Sequence, residues 1–162
     1  MEKATFGAGC FWGVEHFFAE VPGVADAVSG YEGGHADNPN YRQVCSGTTD
    51  HAEVVEVTFD PAKVSYAKLV ELFFKMHDPT TLNRQGPDVG TQYRSAIFVH
   101  SPEQERTARA ELEKARPRFS RPIVTTVEPA KTFWRAEDYH QDYFEKNHGH
   151  SCHVTYKELE HQ

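Results

Sequence analysis

The hydrophobic period of the chain changes twice within its first 31 residues, and that switch restricts the folds open to it. Residues 3–8 read as a short strand. From Phe11 the apolar side chains recur at helical spacing, at Val14, Phe18 and Val21, until Pro22-Gly23 stops them. Residues 24–31 return to a strand, and 53–59 make another, with Val55, Val57 and Phe59 on one face. Ser65 is placed to cap a helix whose Leu69, Leu72, Phe73 and Met76 share a stripe. YRSAIFV at 93–99 reads as a strand, and Ser101-Pro102 opens a polar helix, since proline is harmless at a first helical position. Residues 122–128 form a further strand, and AEDYHQDYFEKN reads as a last helix before a Gly/His-rich tail. The order β-α-β-β-α-β-α-β predicts helices packed on a mixed sheet, an α+β architecture. Two segments, 32–52 and 78–92, are long, polar and turn-rich. Aromatic and charged residues punctuate both, so ordered loops that build a site are expected there.

The totals narrow the function. A chain of 162 residues is expected to form one domain. Its net charge of −7 argues against nucleic acid as the main partner, and no apolar run approaches the roughly 18 residues of a membrane span. MEKATFGAGCFW lacks the basic and then apolar regions of a signal peptide, so a cytoplasmic protein is expected. Three cysteines, an odd number, argue against a disulfide framework.

GAGCFWGVEHFF, residues 7–18, sets one of those cysteines at the strand–helix junction. Gly7 and Gly9 let the backbone turn sharply, which puts Cys10 in the first turn of the helix. Unpaired N–H groups and the positive end of the dipole favour an anion there, so a thiolate would be stabilised, with Phe11 and Trp12 as an apolar wall beside the sulfur. The same cysteine could equally be a small buried hydrophobe, as free cysteines often are. Glu53 shares the parity of Val55 and Val57. If the strand begins by residue 53, its carboxyl faces the core or its rim, where desolvation would keep it protonated as a general acid must be. If not, it is solvated. Tyr41 and Tyr93 are either half-buried structural tyrosines or phenols aimed at a polar substrate oxygen.

GCFWG at 9–13, GYEGG at 30–34, NPNYRQVCSG at 38–47, HAEVVEV at 51–57, HDPTTLNRQGPDVGTQYRS at 77–95 and FWRAEDYHQDY at 133–143 together resemble the type A peptide methionine sulfoxide reductases. The resemblance runs from the first strand to the last helix. It implies a two-layer α+β sandwich, a mixed β-sheet with packed helices around a ferredoxin-like core. It implies that Cys10 attacks the sulfoxide sulfur, that Phe11 and Trp12 hold the substrate's methyl group, and that Glu53 protonates the sulfoxide oxygen. Tyr41 and Tyr93 would hydrogen-bond that oxygen, and Asp88 of QGPDVG would complete the polar network. The substrate would be methionine sulfoxide, free or in proteins, in its S form. A sulfoxide is a poor electrophile until its oxygen is protonated or strongly hydrogen-bonded, which is why an acid and two phenols suit the task. Attack leaves a sulfenic acid on Cys10. Cys152 of GHSCHV, in a mobile tail spanning about 147–162, occupies the place of the family's recycling cysteine, so a Cys10–Cys152 disulfide reduced by thioredoxin is expected. Many relatives carry two recycling cysteines, but no cysteine follows Cys152 here, so the disulfide would be reduced directly. Cys45 falls at a position that is not catalytic in the family and is read as structural. No metal or cofactor is called for, and a monomer is expected.

Two other readings compete. A thiol peroxidase would also make a sulfenic acid, but without need of Glu53 or a methyl pocket. A metal-binding module could use His148, His150, Cys152 and His153, although these lack the paired cysteine spacing of structural zinc sites.

Overall fold

The computed structural model describes residues 1–46 and 49–137. The chain opens with β1 (Glu2–Ala8), α1 (Phe11–Ala19) and β2 (Val24–Glu32), then passes through a short helix α2 (Tyr41–Cys45) into β3 (Ala52–Phe59). α3 (Tyr66–Met76) follows, and then a small hairpin of β4 (Arg84–Gln85) and β5 (Asp88–Val89) with a 3-10 turn over Thr91–Tyr93. β6 (Ser95–Val99), α4 (Pro102–Ala115), β7 (Thr126–Pro129) and β8 (Trp134–Arg135) complete the described elements.

The main sheet has the order β7-β6-β1-β3-β2-β8. Its four central strands are antiparallel in the order β6-β1-β3-β2, the arrangement of a split β-α-β-β-α-β unit, which is the expected ferredoxin-like core. β7 joins the β6 edge in parallel and makes the sheet mixed, and β8 joins the β2 edge antiparallel. Because side chains alternate across a strand, the register that sets Phe6 opposite Val55 and Ile97 puts all three on one face, against α1 and α3. Phe6 stacks there on Phe18 at 5.0 Å and on Phe73 at 5.3 Å between ring centroids. Each fully buried phenylalanine contributes roughly 1.5–3 kcal/mol. This helix-covered face is the second layer of the sandwich.

Ser65 and Ser101 cap α3 and α4 as their positions predict, accepting the amides of Lys68 and Gln104. The strand expected at 122–128 starts only at Thr126, because Val124 donates to the Pro79 carbonyl and Thr125 meets the Ser95 hydroxyl, outside the ladder. The strand expected from 93 begins at Ser95, because Tyr93 closes the 3-10 turn. Segment 32–52 carries a helix that its polar composition hides. His51 secures the stretch, accepting from the Gly34 amide at Nδ1 (2.9 Å) and donating from Nε2 to the Ala36 carbonyl (2.6 Å). Of the last helix expected at 136–147, only Ala136 and Glu137 are described, and they continue from β8 as irregular chain; the remainder lies outside the described residues. Among the described residues, no helix is long and apolar enough to cross a membrane.

Candidate active site

β1 ends at Ala8, and the chain turns at Gly9, whose φ of 95° strains any residue with a side chain. The turn delivers Cys10 as the N-cap of α1, one position earlier than its sequence context suggests. The residue is only 6% exposed. Beside it stands Glu53, 1% exposed and one residue inside β3, with Oε1 accepting the Phe11 amide at 3.2 Å. An N–H at a helix start has no intrahelical partner and draws an oxygen, so the carboxyl is held one peptide from the sulfur-bearing residue.

An aromatic wall closes one side. The Phe11 ring is fully buried and lies 6.3 Å from half-buried Trp12 and 5.6 Å from Tyr31, measured between ring centroids. Tyr41 stacks over both Phe11 and Trp12, at 6.2 Å from each. It is the first residue of α2, which a reciprocal cap starts: Gln43 donates its amide to the Asn40 side chain and accepts the Asn40 amide in return, each at 2.9 Å.

The phenols converge on the acid. Desolvation pushes the Tyr41 hydroxyl well above the usual phenol range, with a hydrogen bond to Cys45 and the charges of Glu53 and Tyr93 adding to it. Desolvation also raises Tyr93, followed by the field of Glu53, while its hydrogen bond to Tyr41 works the other way. Both therefore stay protonated as donors across the range where proteins operate. Asp88, half-buried on β5, lies near enough for its charge to act on Tyr93. Phe11, Trp12, Tyr41, Glu53 and Tyr93 thus form one cluster next in the chain to Cys10, with Asp88 at the margin. Cys152, the tail about it and the histidines of the metal-binding reading lie outside the described residues. Among the described residues no group of three His, Cys, Asp or Glu side chains is placed to hold a metal ion.

Two residues beyond those assigned to the site from sequence also stand here. Cys45 is exposed rather than packed away, and its thiol is hydrogen-bonded to Tyr41 and Tyr93. Partial desolvation of the sulfur raises its pKa, opposed by those two hydrogen bonds and reinforced by the charge of Glu53. The i, i+4 spacing of Tyr41 and Cys45 would have linked them had NYRQVC been recognised as helical. Glu137 accepts the Tyr41 amide at 2.8 Å through Oε1 and the Tyr31 hydroxyl at 3.0 Å through Oε2. It belongs to FWRAEDYHQDY, a motif with no role assigned from sequence.

The model of the peptide methionine sulfoxide reductase family matches residues 2–162. Peptide methionine sulfoxide reductase MsrA of Methanoculleus marisnigri is 60% identical over 158 residues, 96% of each chain. Among solved structures, Mxr1 from Saccharomyces cerevisiae in reduced form superposes with a TM-score of 0.89 at 39% identity, over 93% of this chain and 88% of that one. Mxr1 in complex with Trx2 superposes with a TM-score of 0.66 at 26% identity, covering 95% and 88%. With 60% identity along almost its whole length, the chain belongs to the peptide methionine sulfoxide reductases of the MsrA type, oxidoreductases that return methionine sulfoxide to methionine.

Proposed function

We propose that Cys10 is the nucleophile and Glu53 the acid of this reduction, in one catalytic domain over residues 1–162 that acts as a cytoplasmic monomer on S-sulfoxides. The observation that carries the reading is the Glu53 carboxyl bonded to the Phe11 amide, next to Cys10 and facing two protonated phenols. In so dry a place a thiolate on Cys10 disfavours a second negative charge on Glu53. When the thiol is ionised the carboxyl keeps its proton, which is the state that attack on a sulfoxide requires.

The substrate's methyl group packs against Phe11 and Trp12, and its oxygen takes hydrogen bonds from Tyr41 and Tyr93, with Asp88 completing the polar side. The Cys10 thiolate attacks sulfur as Glu53 delivers its proton to oxygen. The S–O bond of the substrate breaks, methionine leaves, and the oxygen ends on Cys10 as a sulfenic acid, so the cysteine is oxidised by two electrons and the sulfoxide reduced by two. Cys152 then condenses with the sulfenic acid, releasing water and forming a Cys10–Cys152 disulfide. The likeness to Mxr1 in complex with Trx2 supports a thioredoxin dithiol as the reductant that reopens it.

The test separates chemistry from recycling. Cys10→Ser should release no methionine even with excess dithiothreitol, because a hydroxyl neither attacks as readily nor stores the oxygen. Cys152→Ser should release close to one equivalent at the parent's rate and then stall with thioredoxin. Methionine release by the Cys10 variant above a few per cent of the parent, or steady thioredoxin turnover by the Cys152 variant, removes the corresponding assignment.

A further inference from the structure

α2 is five residues long, too short to persist on its own, yet it carries Tyr41 at its start and Cys45 at its end. Something must hold it. The Asn40–Gln43 pair satisfies two of its amides, and the amide of Tyr41 itself goes to Glu137. The other Glu137 oxygen accepts the hydroxyl of Tyr31, which is fully buried on β2 with its ring against Phe11. The backbone leading to Glu137 is pinned to the same strand. β8 pairs Gly30 with Arg135 and Tyr31 with Trp134, and the Ala136 amide donates to the Ser29 carbonyl at 2.9 Å. One carboxylate therefore links the rigid sheet edge to the weakest element of the site, by a charge-assisted bond at a helix start where negative charge is favoured.

We propose that Glu137 is a positioning residue for sulfoxide reduction and acts through Tyr41. The inference rests on the role given to Tyr41 above. Glu137 touches neither the sulfur nor the oxygen that reacts; it fixes the start of α2, and so the place of the phenol over Phe11 and Trp12. A donor displaced by about an ångström loses much of its value in a transition state, up to roughly a hundredfold in rate.

Single-turnover release of methionine, without reductant, is the measurement. It is made on the parent, Glu137→Ala, Glu137→Gln, Tyr41→Phe and the two double variants, with thermal melts and the rate of Cys10 alkylation by iodoacetamide alongside. Glu137→Ala should slow release by about 10–30-fold while Cys10 alkylates at the parent's rate. Glu137→Gln keeps an acceptor for the Tyr41 amide and should lose only about threefold. In the Tyr41→Phe background neither change should cost anything further, because the phenol through which Glu137 acts is gone. Equal losses in both backgrounds would overturn the inference, as would slowed alkylation of Cys10. If Glu137→Ala fails to fold, the glutamine cycle decides by the same criterion. A parent that releases no methionine overturns the assigned roles as well, whereas additive losses in an active enzyme overturn this inference alone.

Discussion

Glu53 and Glu32 stand near the same end of the sheet, buried to 1% and 0% exposure, on adjacent strands: Tyr31 pairs with Glu53, and Glu32 with Ala52. Alternation along the strands sends them to opposite faces. Glu53 turns into the helix layer and accepts the amide of Phe11. Glu32 turns to the face crossed by residues 130–133 and accepts the amide of Lys131 at 3.0 Å. Desolvation pushes the Glu32 carboxyl up to about 7; the Lys131 amide opposes this, and the charges of Glu56 and Glu128 add to it. By that measure Glu32 is as well prepared to hold a proton near neutrality as any general acid. What differs is the company. Glu53 faces a thiol-bearing turn, two phenols and an aromatic wall, whereas Glu32 shares its face of the sheet with Ala52, Val54 and Phe98. Burial makes an acid, and only the groups around it give the acid something to protonate.

The comparison breaks most visibly at Glu53. Glu53→Gln keeps the shape and the acceptor for the Phe11 amide but has no proton to give. The chemical step should slow by about 10²–10⁴-fold with little change in substrate binding. An unchanged single-turnover rate at neutral pH would make Glu53 a structural carboxyl like Glu32. The next effect should come from its surroundings. Tyr93→Phe removes one of the two donors proposed for the sulfoxide oxygen and should cost about 10–10²-fold in the same assay, less than loss of a sole donor because Tyr41 remains. Full activity in that variant would detach the phenols from the role of the acid.

How far these features could be read from sequence depends on their range. Period and caps are local, so α1, α3, α4 and the central strands were legible, as were Ser65 and Ser101. Glu53 was legible through its parity with Val55, but whether the strand reached back to it was not; the ladder settles that, starting at Ala52. Tyr41 stood out as a residue, while the helix under it did not, because five residues are too few to show a period and their order comes from the Asn40–Gln43 cap and from Glu137, 96 positions away. β8 was missed for the same reason, since two residues on a sheet edge are defined by their partners. Glu32 lacked any signal. A glutamate ending a strand is ordinarily solvated, and only residues 130–133 crossing the sheet bury it, with Phe133 packed where a side chain at Gly30 would stand.

The smallest expected effect tests the other half of the comparison. Glu32 is raised from an ordinary 4.5 to about 7 in the folded chain. Below about pH 4.5 the proton is bound in both the folded and unfolded states, and the contribution of the group to stability is fully present. As pH rises from there to about 7, the unfolded chain has given up the proton while the folded chain still holds it, so folding is progressively penalised. Above that the buried carboxylate carries its charge with only one oxygen bonded, Oε1 having no partner among the described residues. Glu32→Gln has no proton to lose and keeps an acceptor for the Lys131 amide. It should therefore match the parent near pH 4.5 and exceed it at pH 8 by on the order of 1–2 kcal/mol, about 3–6 °C in melting temperature. Its single-turnover release of methionine should equal the parent's. A stability gap of the same size at both pH values would mean that charge is not the cause, and slowed release of methionine would erase the distinction between the two glutamates.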